Sequence, residues 1–377
     1  MKKDLSDFSQ LAVSRTASSA LRSLFFIVVA TLMEPNDYGE MSFFIALAGT
    51  VSIVSRFGLP STVIVYLAKG KTELANHVNL LAIITTSIAS VILVFVNEFS
   101  AFLCIASSLF FLHQRNQIGM QKYRAQLITA ISQSALMFAF GLPLFFVAGI
   151  PGIISGIAIS NIVLIFPLFR YISFTSISVE PIKENYKVIL NNFGVDSANN
   201  LVRFIDKILI GVWFGFLSLG TYNFNMQILF AVEMLSMVMY SFMLSETSRG
   251  KEHKKFSFLV VIVSAILVAL VIFFAPYVIE SIFPKFSDGI SALQLLIVTV
   301  IPDSISLILT ARMQATESRN VGYSAIVRIC TLIGLISILG VTHGLIGFSI
   351  AVLVSSIANL IFLYFLYKRQ SSKFINP

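Results

Sequence analysis

Apolar positions along this chain fall in long continuous stretches, and polar positions gather in the short gaps between them. The run over 256–274 is typical. It shows no strict alternation, so a membrane barrel of short two-faced strands is excluded. Each stretch is long enough for a helix of about 20 residues, the length that crosses the hydrocarbon core of a bilayer. Twelve such spans are expected, over 11–33, 40–67, 77–96, 98–117, 125–148, 151–170, 187–213, 220–244, 256–278, 289–313, 320–340 and 344–367. The second is interrupted at Gly58-Leu59-Pro60, since proline removes a helical donor and clashes with the preceding turn. The ten residues that follow are expected to form a short helix lying at the membrane interface.

The polar gaps orient the spans. On one side, the gaps 34–39, 97, 149–150, 214–219, 279–288 and 341–343 hold a single basic residue, Lys285. The termini and the gaps of the other side, with their bordering residues, hold nineteen, among them Lys69, Lys71, Lys122, Arg124, Lys251, Lys254, Lys255, Lys368 and Arg369. Basic residues concentrate on the cytoplasmic side of membrane proteins. Both termini are therefore expected in the cytoplasm, in a multi-pass protein of the cell (plasma or inner) membrane.

Composition agrees. Charged residues are 12% of the 377, about half of what a soluble domain carries, while 57% are hydrophobic and 35 are Phe. That balance excludes a soluble globular protein and a disordered one alike. The net charge of +8 follows from the cytoplasmic excess of Lys and Arg, and no nucleic-acid partner is expected. Cys104 and Cys330 both sit in apolar runs, so no disulfide framework is read. No cleaved signal peptide is expected. The four histidines lie near span ends, far apart in sequence, and no phosphate-binding loop, HExxH or GxSxG is present. No catalytic residue, metal or cofactor is expected, and the chain reads as a non-enzyme.

The two halves of the chain repeat. Aligning Gly39 with Gly220, at the first and fourth outer hairpins, gives an offset of 181; at that offset Arg22 falls on Arg203 and Arg15 on Asp196. The hairpins before the last span of each half, Gly149-Ile150-Pro151-Gly152 and Gly344-Leu345-Ile346-Gly347, match at 195. Six spans per half is an even number, so both halves enter from the cytoplasm and the repeat is parallel, about an axis along the membrane normal. The domains expected are an N-terminal lobe over 1–170, a cytoplasmic linker over 171–186 and a C-terminal lobe over 187–377.

Ten charges remain inside spans, each costing at least about 2.5–3.5 kcal/mol at mid-bilayer if it faced lipid. On span one Arg15, Ser18, Ser19 and Arg22 recur at helical spacing on one face. Span seven carries Asp196, Asn199, Asn200, Arg203, Asp206 and Lys207. Two such stripes at equivalent places would line a wet central cleft. Arg15, Arg22, Arg203 and Lys207 are the candidates for binding an anionic group, because guanidinium offers bidentate, always-charged donors to phosphate. Asp196, Asn200, Asp206, Asp303, Arg56 and Arg328 are candidates for cavity lining or ion coupling, with Asp206 beside Lys207 the clearest coupling device. Asp303 follows Pro302, where a kinked span exposes backbone. Glu233 reads as a partner for a basic residue. The competing reading for each is a structural ion pair or a side chain snorkelling to the rim.

Three segments carry a resemblance over essentially the whole chain: PNDYGEMSFFIALAGTVSIVSRFGLPS after span one, RFIDKILIGVWFGFLSLGTYNFNMQI across spans seven and eight, and GLIGFSIAVLVSSIANLIFLYFLYKR at the end. They resemble the O-antigen-type polysaccharide flippases of the multidrug/oligosaccharidyl-lipid/polysaccharide (MOP) superfamily. The resemblance implies an all-α polytopic protein with twelve transmembrane helices in two six-helix lobes, V-shaped around a central cavity that rocks in alternating access. It implies a substrate of isoprenoid tail, phosphate or pyrophosphate and sugar chain, moved from the cytoplasmic to the outer leaflet. It also implies membrane lipid, and a glycan polymerase or glycosyltransferases, as partners. Family cavities are cationic, which the four basic candidates match by position. The alternatives are a cation-coupled drug antiporter of the same superfamily, which would favour acids in its cavity, and a scaffold or membrane enzyme of polysaccharide assembly.

Overall fold

The computed structural model describes residues 2–170, 172, 186–247, 254–315 and 321–375. Every described element is helical, as lipid requires: with no water to hydrogen-bond the backbone, a spanning segment must satisfy its own N–H and C=O groups. The α-helices are α1 (Lys2–Leu32), α2 (Pro35–Ser55), α3 (Leu59–Ala68), α4 (Thr72–Val94), α5 (Glu98–Gly119), α6 (Tyr123–Ile162), α7 (Tyr186–Thr247), α8 (Lys254–Ile282), α9 (Ile290–Leu296), α10 (Val300–Ala315) and α11 (Val321–Ile375). Among the described residues seven helical stretches are long and apolar enough to cross a membrane. α6, α7 and α11 are each two helices joined at one non-helical glycine, Gly149, Gly215 and Gly344. Dividing them there, taking α9 with α10 as one interrupted span, and counting α1 and α5, gives the twelve expected spans.

Four boundaries differ from expectation, each for a local reason. Span six was expected to reach residue 170, but α6 ends at Ile162 and a 3-10 turn follows over Phe166–Arg170. Pro167 has no N–H to give the carbonyl of residue 163, and its ring clashes there. Span ten is interrupted by a 3-10 turn over Ile297–Thr299, where Pro302 denies a partner to the carbonyl of Val298. The first and fourth outer hairpins turn five residues earlier than the glycines that mark them. α2 begins at Pro35, a first-turn position suited to proline. α7 breaks at Gly215, whose φ of 82° and ψ of 170° suit a residue without Cβ. Residues 34 and 215 keep the offset of 181. The segment after the Gly58 break is a separate helix, α3, as expected. It packs against α4 and α5 with Leu59, Val63 and Tyr66 buried.

The repeat appears in the stereochemistry. A Cβ on Gly39 would lie 1.8 Å from the Phe216 carbonyl oxygen, and one on Gly220 would lie 1.8 Å from the Pro35 carbonyl oxygen. Each residue of the first contact is the 181-offset equivalent of one in the second. The contact is thus reciprocal, as across a two-fold axis. At the other hairpins Gly149 (φ 62°, ψ −136°) and Gly344 (φ 54°, ψ −130°) share one backbone conformation. Gly152 there sits on the Leu144 carbonyl, and Gly347 on that of Leu339, both pairs at 195.

The chain packs as two compact units. One comprises 13–22 and 41–208, the other 1–12, 23–40 and 209–377. In the first, buried polar pairs join helices: Ser52 with Ser108 at 2.7 Å, and Asn79 with Asn116 through two reciprocal bonds of 3.0 Å. Such bonds contribute about 0.6 kcal/mol each in a membrane interior. In the second, Ser236, Ser264 and Ser304 meet within 3.3 Å and tie together α7, α8 and α10.

Candidate functional site

On α1, Val13 and Leu24 are exposed, while Ser14 and Ser18 are buried. At 100° per residue Arg22 stands on the face opposite Leu24, so helical geometry turns it inward. That face is seated on α6 by two bonds. Ser134 Oγ donates to the Ser18 carbonyl at 3.2 Å, and Arg22 Nη2 donates to Gln133 Oε1 at 3.0 Å. Gln133 is buried, and its Nε2 donates to Ser160 Oγ at 3.3 Å; Ser160 in turn donates to the Ile157 carbonyl at 2.7 Å. Arg22 is thus held by a neutral amide, itself held in place by the second part of α6.

On α7, Asp206 and Lys207 are both buried. Asp206 Oδ1 accepts the backbone N–H of Lys207 at 2.8 Å and lies 3.6 Å from Lys207 Nζ. The same part of α7 touches α2 and the turn after it: a Cβ on Gly49 would fall within 2.9 Å of the Phe204 ring, and the rings of Phe57, in that turn, and Phe193 lie 5.2 Å apart. The other stripe residues, Arg15 on α1 and Asp196, Asn200 and Arg203 on α7, are on helices as expected, but their side chains are outside those described. All four belong to the unit that contains Arg22 and Lys207. The four basic candidates, both polar stripes and Arg56 therefore share one compact unit.

Arg56 ends α2. Its Nε donates to the Ser52 carbonyl at 2.7 Å, and its guanidinium lies 4.1 Å from the centre of the Phe111 ring, which also carries Arg115 at 4.5 Å. Asp303 and Arg328 belong to the other unit and are brought together. Arg328 Nη2 donates to Asp303 Oδ2 at 2.9 Å, and Ser356 Oγ donates to Asp303 Oδ1. Glu233 adds a second negative charge near Arg328. The kink above Pro302 leaves Asp303 in the first turn of α10, from which its carboxylate joins α10 to both parts of α11.

Gln133, Ser160 and Ser356 were not singled out from the sequence, because uncharged residues in an apolar run give no signal by themselves. The hairpin offset of 195 was such a signal: it places Gln133 on Arg328 and Ser160 on Ser355. Among the described residues no group of three or more His, Cys, Asp or Glu is arranged to hold a metal ion. One unit presents the Arg22 guanidinium bonded to the Gln133 amide and Lys207 beside the Asp206 carboxylate; the other presents Arg328 bonded to the Asp303 carboxylate.

No protein-family model and no curated protein matches the chain by sequence. Solved structures do match, nearly end to end. The lipid II flippase MurJ, in an inward closed conformation, superposes with a TM-score of 0.77 at 14% identity, covering 95% of this chain and 87% of that one. A multidrug resistance MATE family transporter of the MOP superfamily, facing inward, gives 0.69 at 15% identity over 96% and 95%. A MOP superfamily transporter from Pyrococcus furiosus, with a binding pocket of reversed polarity, gives 0.65 at 14% identity over 98% and 96%. The fold is that of the MOP superfamily transporters. The chain is a multi-pass, all-helical membrane protein, and the structures it matches include a lipid II flippase and multidrug transporters.

Proposed function

We propose that this protein is a flippase that carries an isoprenoid-(pyro)phosphate-linked oligosaccharide from the cytoplasmic to the outer leaflet of the cell membrane, for assembly of a surface glycan. The observation that carries the reading is the state of Arg22: an intramembrane guanidinium held by the neutral amide of Gln133 at 3.0 Å, in the unit that also contains Arg15, Arg203 and Lys207. A phosphate cannot cross hydrocarbon without paired charge, and guanidinium offers it bidentate, always-charged donors. The serines and asparagines of the two stripes give the sugar chain a polar path. The tail stays in lipid. The halves 1–170 and 187–377 are the bodies that exchange access, both termini are cytoplasmic, and glycosyltransferases or a glycan polymerase supply and consume the substrate. The fold shared with a lipid II flippase supports a lipid-linked substrate.

The antiporter reading, favoured by the fold shared with multidrug transporters, asks for a carboxylate that receives a cationic drug. Asp206 is paired with Lys207, and Asp303 with Arg328 and Ser356. These pairings favour the anionic substrate. The test is transport by the purified protein in proteoliposomes, with a fluorescent lipid-linked pyrophosphoryl oligosaccharide as probe. Arg22→Ala is expected to lower the flipping rate by about tenfold or more, the worth of a charge-assisted hydrogen bond. Arg22→Lys restores part of it, since the planar fork is lost. Parental activity in Arg22→Ala, or uptake of a cationic dye in place of the lipid probe, would overturn the reading.

A further inference from the structure

We infer that Lys285 and Glu34 form an outer latch, an ion pair that holds the turn after α8 to the first outer hairpin and breaks when the protein opens outward. The inference rests on the alternating access of the flippase reading. Lys285 is the single Lys or Arg in the outer gaps, which also hold Glu34, Asp37, Glu280 and Asp288. It stands in the 3-10 turn Pro284–Gly289, with Glu280 and Asp288 close to it in sequence. The ion pair it makes crosses instead to the N-terminal half: Lys285 Nζ lies 2.7 Å from Glu34 Oε1, in the hairpin between α1 and α2.

The rest of the turn shows what the pair fastens. Phe286 is buried. Its ring stacks on Phe224 of α7 with centroids 4.4 Å apart, and meets Tyr38 of α2 in a T-shaped contact at 5.8 Å. At the end of the turn, Asn225 Nδ2 of α7 donates to the Gly289 carbonyl at 2.9 Å. The turn is thus tied to the C-terminal half by Phe224 and Asn225, and it reaches the N-terminal half through Lys285 and Phe286. Residues 23–40 and 209–377 accordingly belong to one compact unit, so the first hairpin packs with the C-terminal half. If the halves exchange access, this contact must open. The ion pair is exposed, its side chains 44% and 62% accessible, so its contribution is small. A latch undone in every cycle needs that scale: enough to favour one state, too little to lock it. Salt screens an exposed ion pair but not the ring contacts beside it, which gives the latch a signature.

Charge reversal isolates the pair. Cysteines at Asn36 and His343, both exposed on outer hairpins of the two halves, carry spin labels in the full-length protein with Cys104 and Cys330 replaced by alanine. Electron–electron double resonance in proteoliposomes then reads the separation of the halves on that face. Glu34→Lys and Lys285→Glu are each expected to raise the fraction at the longer distance about two- to fivefold. The double swap, Glu34→Lys with Lys285→Glu, restores an ion pair and should return that fraction to the parent value. At about 1 M salt, where the Debye length falls to about 3 Å, the differences among the four proteins should shrink. Single reversals that leave the distribution unchanged, or a double swap whose effect is the sum of the two singles, overturn the latch. These measurements need no substrate, so the latch can fail while the parent still flips the lipid-linked probe. Failure of the parent to flip that probe would overturn the substrate reading, and the distance shifts would still decide the latch.

Discussion

Alanine at Gly39 is the sharpest test of the packing between the two repeats. A Cβ there would lie 1.8 Å from the Phe216 carbonyl oxygen, and Cβ atoms are essentially never found closer than 3.0 Å to a neighbour. The helices must part by at least about 1.2 Å, the difference of those distances. The obstacle is backbone, so no rotamer change relieves it, and overpacking of this kind costs about 1–3 kcal/mol. Gly220→Ala makes the reciprocal clash, 1.8 Å from the Pro35 carbonyl oxygen, and is expected to cost a similar amount. Because one separation makes room for both methyl groups, the double variant should cost little more than the worse single one, within about 0.5 kcal/mol. Gly334→Ala, with nothing within 4 Å of the added Cβ, is the control and should stay within about 0.5 kcal/mol of the parent. Equilibrium unfolding in mixed micelles reads all four. Its probe is Trp213, the one tryptophan of the chain, two residues from the Gly215 break. Costs that add in the double variant, or single costs no larger than the control, would refute the reciprocal contact.

Two further outcomes are expected. Arg328→Ala leaves the Asp303 carboxylate buried without its guanidinium and should cost about 3–5 kcal/mol in the same unfolding assay, most of it recovered by adding Asp303→Asn. Cysteines at Asn36 and Lys71, both exposed, introduced after replacing exposed Cys330, should react with an impermeant thiol reagent from opposite faces of the membrane, and same-face reaction would overturn the orientation read from the basic residues.

Much of this architecture is written in local chemistry. Apolar runs of span length, separated by short polar gaps, admit only helices in lipid, and residues 34 and 215 keep the spacing of Gly39 and Gly220 even though each turn comes five residues earlier than expected. The kink before Asp303 follows from Pro302 acting four residues upstream, and the end of α6 from Pro167 in the same way; these depend on near neighbours, so a sequence can report them. Partnership is a different matter. Arg22 takes Gln133, 111 residues away, and Arg328 takes Asp303, 25 residues away, because three-dimensional packing brings those helices side by side. Spacing along one helix could place Arg22 on an inward face, but it carried no information about which neighbour that face meets. Nor could it tell that one intramembrane arginine is held by an amide and another by a carboxylate. Charge state at a site depends on the groups within a few ångströms, and only the tertiary structure decides which groups those are.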